Sequence, residues 1–134
     1  MINSRLNFHH VGTLVDNIED ALGNYTSIFG KDSASAVYRI ESQKVDVCFV
    51  KIGENSFVEL VQPYSDESKV YNLLKKRVTY YHIGYKVDDI EQAVKELDLQ
   101  GFRAMEYFFS EAFEGKRCIF LFSPEAHLFE LIEA

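Results

Sequence analysis

The sequence predicts an α+β fold made of two βαβββ modules within one domain, residues 1–134. Two observations carry this. The chain writes one phrase twice: "HVGTLVDNIEDA" from His10 and "HIGYKVDDIEQA" from His82 agree at seven of twelve positions. After each copy the hydrophobic pattern changes period in the same order: alternating, then helical, then alternating three times. The match extends through Gly30 with Gly101, Cys48 with Cys118, and "FVELV" (57–61) with "LFELI" (128–132), which sets Glu59 against Glu130. Ordered matches at offsets of 70 to 72 residues argue for duplication, and two copies of so long a period exclude a solenoid. The modules run over about 5–75 and 78–134.

Each module opens with a short apolar run that holds a histidine, Phe8 to Val15 and Tyr80 to Val87. Asp16-Asn17 and Asp88-Asp89 then offer helix N-caps, with Glu19 or Glu91 in the first turn, where an acid favours the helix dipole. Helical spacing follows in Ile18, Ala21, Leu22, Tyr25 and Phe29, and again in Ile90, Ala93, Val94 and Leu97. Gly30 and Gly101 stop these helices. Strands are expected over about 35–41, 44–52 and 55–62 in the first module, turned by "GEN". In the second they are expected over about 103–109, 116–123 and 126–133, turned by "SPEA". Between the modules, "SDESKVYNLLKKR" (65–77) reads as a linker helix with Val70, Leu73 and Leu74 turned inward.

Composition narrows the function classes. The chain is 47% hydrophobic, so it folds around a core. A net charge of −7 argues against nucleic acid and against an anionic membrane surface, both of which want a basic face. The basic spots "KKR" (75–77) and "GKR" (115–117) leave room for a small anionic ligand, although solvated turns explain them as well. No apolar run approaches the length of a membrane span. Cys48 and Cys118 sit inside apolar runs and read as buried thiols of a cytoplasmic protein, with a disulfide as the alternative.

Four residues carry chemistry. Along a strand Glu59 shares a face with Phe57 and Val61, and Glu130 with Leu128 and Ile132. A carboxylate on an apolar face must be paired, protonated or bound to a cation, and neither strand contains a Lys or Arg. His10 and His82 raise the same question in the first strand of each copy. A single such His is more often structural, and a single Glu in "VEL" more often faces water. Repetition in register favours a metal site instead, with the pseudo-twofold bringing two His and two Glu together. That donor set suits Zn, Ni, Co, Mn or Fe, and suits Ca poorly. His9 falls opposite Tyr81 in the repeat and is given a supporting or surface role, and His127 is expected exposed in its turn.

The layout resembles the vicinal oxygen chelate superfamily, which includes glyoxalase I, methylmalonyl-CoA epimerase and the bleomycin-resistance proteins. "HHVGTLVDNIEDALGNYTSIFG" is similar to the family opening, and "FVELVQP" to the second ligand strand. "YYHIGYKVDDIEQAVKELDLQGFR" is similar to the start of the second module, and "CIFLFSPEAHLFELIEA" to the closing strand. The resemblance implies a cupped mixed sheet around a divalent transition metal held by His10, Glu59, His82 and Glu130, and a homodimer. It implies a metal-dependent lyase or isomerase that removes a proton next to a carbonyl, with Glu130 and Glu59 as catalytic carboxylates. The His-Glu-His-Glu set matches glyoxalase I (lactoylglutathione lyase), whereas the epimerases commonly have Gln at the position of Glu59. "ELVQPYSDESKVYNLLKKR" looks like the epimerase linker, and the Thr and Asn that usually follow the glyoxalase Glu are absent. "SPEA" also lacks the Gly of the usual final turn. The expected substrate is a small thiohemiacetal or acyl-CoA. A non-catalytic protein of the same fold that binds an antibiotic or metabolite is the alternative, and an interaction module with incidental His and Glu is a third.

Overall fold

The structure, a computed structural model, describes every residue from 1 to 134. Its elements run β1 (Asn7–Leu14), α1 (Ile18–Phe29), β2 (Tyr38–Ile40), β3 (Val45–Lys51), β4 (Phe57–Pro63), α2 (Tyr71–Lys75), β5 (Tyr80–Val87), α3 (Ile90–Leu99), β6 (Arg103–Ser110), β7 (Lys116–Phe122) and β8 (Leu128–Glu133). The α+β reading of the sequence holds, and β-α-β-β-β occurs twice. The chain falls into two units. A leading unit comprises His10–Tyr81, and a trailing unit comprises His82–Ala134 together with Met1–His9.

In the leading unit β1 lies parallel to β4, β4 antiparallel to β3, and β3 antiparallel to β2. The parallel pair needs a crossover, and α1 is part of it. Asn17 caps α1: its Oδ1 accepts the N–H of Asp20 at 3.0 Å, while Gln62 Oε1 accepts that of Ile18 at 2.9 Å. Gly30 ends the helix at φ +101°, a conformation few other residues tolerate. Beneath α1, Ile18 packs with Cys48, Val50 and Leu60.

The trailing unit repeats the plan. β5 is parallel to β8, β8 antiparallel to β7, and β7 antiparallel to β6. Asp89 caps α3 by accepting the N–H of Gln92 at 3.0 Å. Its core joins Ile90, Ala93 and Leu97 of α3 to Val87, Ile119, Leu121 and Leu131. Ile2 and Leu6 pack on this core. Glu96 ties the same segment down, accepting the backbone N–H groups of Asn3 and Ser4 at 2.6 and 3.1 Å and the Ser4 hydroxyl at 2.9 Å.

Three local readings are corrected. The linker helix is five residues long, and of its three expected inward residues Val70 is buried, Leu74 half-buried and Leu73 exposed. Its first four N–H groups gain no side-chain cap, so little extends it N-terminally. β2 is shorter than 35–41 because Ser35 takes over the pairing there. Its Oγ accepts the N–H of Phe49 at 2.9 Å, a side-chain substitute for a ladder bond. The cysteine match is out of step by one residue. Cys48 pairs with Leu60 and joins the α1 core, whereas Cys118 pairs with Ile132 and Ile119 supplies the α3 core. Both cysteines are buried and neither forms a disulfide, and burial pushes the Cys48 thiol up from its ordinary pKa.

Candidate metal centre

Each unit presents one buried histidine beside one buried glutamate. In the leading unit the parallel register sets Gly12 opposite Glu59, with His10 one step back on the same face of β1. A glycine opposite the glutamate leaves lateral room, and the carboxylate meets the diagonal histidine. His10 Nε2 lies 3.4 Å from Glu59 Oε1. On the other side of Glu59, β3 places Phe49 in register, and its ring stands edge-on to the imidazole at 5.4 Å and 74°.

The trailing unit repeats this contact for contact. Gly84 is opposite Glu130, and His82 Nε2 lies 3.2 Å from Glu130 Oε1. Phe120 is in register with Glu130 and meets the His82 ring at 5.2 Å and 75°. Relative exposures are 0% for His10, 6% for Glu59, 1% for His82 and 4% for Glu130. The neighbours on either side of each glutamate along the strand point the other way: Leu60 and Leu131 are wholly buried in the helix-covered cores.

The remaining candidates lie elsewhere. His9 is half-buried with its ring edge against Phe113 at 5.3 Å, and His127 is exposed in the turn before β8. Of the basic spots, Arg77 pairs with Asp16 at 3.1 Å on the surface. Arg117 pairs with Glu133 at 2.8 Å and Glu91 at 3.4 Å, and the Glu133 carboxylate holds its guanidinium above the ordinary range. Sequence reasoning passed over Phe49 and Phe120. The signal was there, since each stands ten residues before its glutamate.

The donor chemistry of both pairs fits a divalent transition metal. A carboxylate in a dry, ring-lined site needs a positive partner, which a protonated imidazole or a cation can supply. Imidazole nitrogen and carboxylate oxygen together are the ligands such ions prefer.

Residues 9–120 match the family model of the Glyoxalase/Bleomycin resistance protein/Dioxygenase superfamily. The chain belongs to this superfamily. A curated relative in this superfamily, the mitochondrial methylmalonyl-CoA epimerase of Dictyostelium discoideum, is 33% identical over 115 residues, covering 84% of this chain and 68% of that protein. Among solved structures of the superfamily's fold, a hypothetical protein from Bacillus halodurans aligns with a TM-score of 0.83 at 28% identity, over 99% of this chain and 96% of that one. The methylmalonyl-CoA epimerase of Mycobacterium tuberculosis aligns with a TM-score of 0.84 at 21% identity, over 99% and 91%. That of Streptomyces coelicolor, in complex with 2-nitronate-propionyl-CoA, aligns at 0.83 and 22%, over 97% and 99%. These likenesses show that the chain has the glyoxalase-like fold, in the α+β class expected from the sequence.

Proposed function

We propose that this protein is a metal-dependent epimerase of the glyoxalase type, acting on an acyl-CoA thioester such as methylmalonyl-CoA. In this reading the two modules form one domain, and His10, Glu59, His82 and Glu130 together hold one divalent transition metal. The observation that carries it is the duplicated half-site. Two imidazoles and two carboxylates, all buried, are presented by two identical strand registers. Identity to the Dictyostelium epimerase supports the choice of substrate. When bound, the metal supplies Lewis acidity to a carbonyl oxygen, which makes a proton on the next carbon removable.

The chain's own residues do the rest. The histidines orient the site. Glu130, as the carboxylate, is the first choice to take the proton, and Glu59, as the protonated acid, to return one on the opposite face, so that the carbon's configuration inverts and each group ends in the other's protonation state. Phe49 and Phe120 stand edge-on to the His10 and His82 rings and hold them in place. The protein is proposed to work as a homodimer, with no nucleic-acid or membrane partner.

The test combines metal content with hydrogen exchange. Purified protein is expected to hold about one transition metal per chain and to exchange the C2 proton of methylmalonyl-CoA with deuterium from solvent. His82→Ala and Glu130→Ala are expected to lose both. Metal-loaded protein that leaves the C2 proton in place would sink the epimerase. Turnover of the glutathione–methylglyoxal hemithioacetal would move the assignment to the lyase branch, which the His-Glu-His-Glu set matches.

A further inference from the structure

The two half-sites differ in charge. His82, Gly84 and Lys86 alternate along one face of β5, where the repeat has His10, Gly12 and Leu14 along β1. Leu14 is buried, and Lys86 is half-buried. Lys86 is in register with Ile132, two residues beyond Glu130 on β8, or about 7 Å along the strand. Its ammonium takes part in none of the protein's salt bridges. It stands 5.8 Å from the centre of the Phe113 ring, against which His9 also packs.

A half-buried lysine on the face of the paired His82 and Glu130, with no counter-charge of its own, is open to an anionic partner. In a chain of net charge −7 a local cation is also what an anionic substrate would need to approach.

We infer that Lys86 receives an oxyanion carried by the substrate: a carboxylate on its acyl part or a phosphate of its carrier. Lysine suits this as a mobile point charge. The inference rests on the acyl-thioester reading above.

Three probes separate the sources of the anion: methylmalonyl-CoA, propionyl-CoA and methylmalonyl-pantetheine. Binding to the metal-loaded wild type is compared with binding to Lys86→Met and Lys86→Arg, each checked for unchanged metal content. Lys86→Met is expected to weaken binding about ten-fold or more, the worth of a hydrogen bond to a charged group, and Lys86→Arg to retain most of it. Loss for the two methylmalonyl probes alone assigns the carboxylate, and loss for the two CoA probes alone assigns the phosphate. Equal loss for all three, or loss for none, overturns the inference. If the wild type binds none of them, the substrate reading fails by itself. Lys86 is then judged by labelling with an amine reagent: protection by malonate or inorganic phosphate upholds the inference, and no protection overturns it.

Discussion

Gly12 and Gly84 leave room beside the two buried glutamates. Each stands opposite a glutamate, and strand neighbours lie about 4.8 Å apart, so a side chain there would occupy the space beside the carboxylate. Gly84→Val is therefore expected to lower metal content at least several-fold while far-UV circular dichroism stays that of the wild type. Unchanged metal content would show that the carboxylate does not need the room. The buried pairing of His10 with Glu59 and of His82 with Glu130 was legible in the sequence, because a duplicated motif writes each residue twice in register. Phe49 and Phe120 were marked only by their shared spacing of ten residues before each glutamate, since a phenylalanine in a strand is ordinarily core and its alternation does not show it as the wall of a polar site. The cysteines misled for the opposite reason. Their identity suggested a match, yet strand parity puts them on opposite faces of their sheets.

Helix ends and turns show the next level. Both long helices start at the expected caps and stop at the expected glycines, because capping is local chemistry that a sequence states directly. The short linker helix was over-read for the same reason: its apolar spacing is local, but whether Leu73 finds a core to enter is not. The turn "SPEA" illustrates a local rule that is broken. Ala126 adopts φ +66°, the left-handed region where a β-carbon is strained, and donates its N–H to Ser123 at 2.8 Å. Relief of about 1–2 kcal/mol of strain, set against about 0.5–1 kcal/mol of added chain entropy, makes Ala126→Gly stabilising by roughly 0.5–1 kcal/mol. Urea unfolding measures this, and a destabilised variant would mean that the alanine methyl makes up for its strain by packing.

At the scale of the whole chain, the repeat predicted two modules but not the exchange of the first nine residues, which belong to the trailing unit. Nothing periodic marks "MINSRLNFH"; its place depends on Glu96, far away in sequence. The backbone N–H of Ser4 leads the groups that hold the Glu96 carboxyl below its ordinary value. A depressed acid favours the folded state fully above the unfolded value, about 4.3, and the benefit is lost as pH falls through the lower, folded value. Hydrogen exchange at Asn3 and Ser4 is therefore expected to be slow at pH 6 and to lose protection below about pH 4. Glu96→Gln should remove that pH dependence. Protection that persists at pH 3 would place the tether in Ile2 and Leu6 alone.

The same tether bears on how the chain is made. Asn3 and Glu96 are 93 positions apart, so the segment around Asn3 finds its acceptor only after the intervening residues have been made. At ordinary elongation rates that delay is on the order of ten seconds. Throughout it Ile2 and Leu6 have no trailing core to enter, and the closure of so long a loop comes late in folding. The leading unit, His10–Tyr81, meanwhile emerges whole. Docking of Ile2, Asn3, Ser4 and Leu6 thus records that α3 and its core have formed.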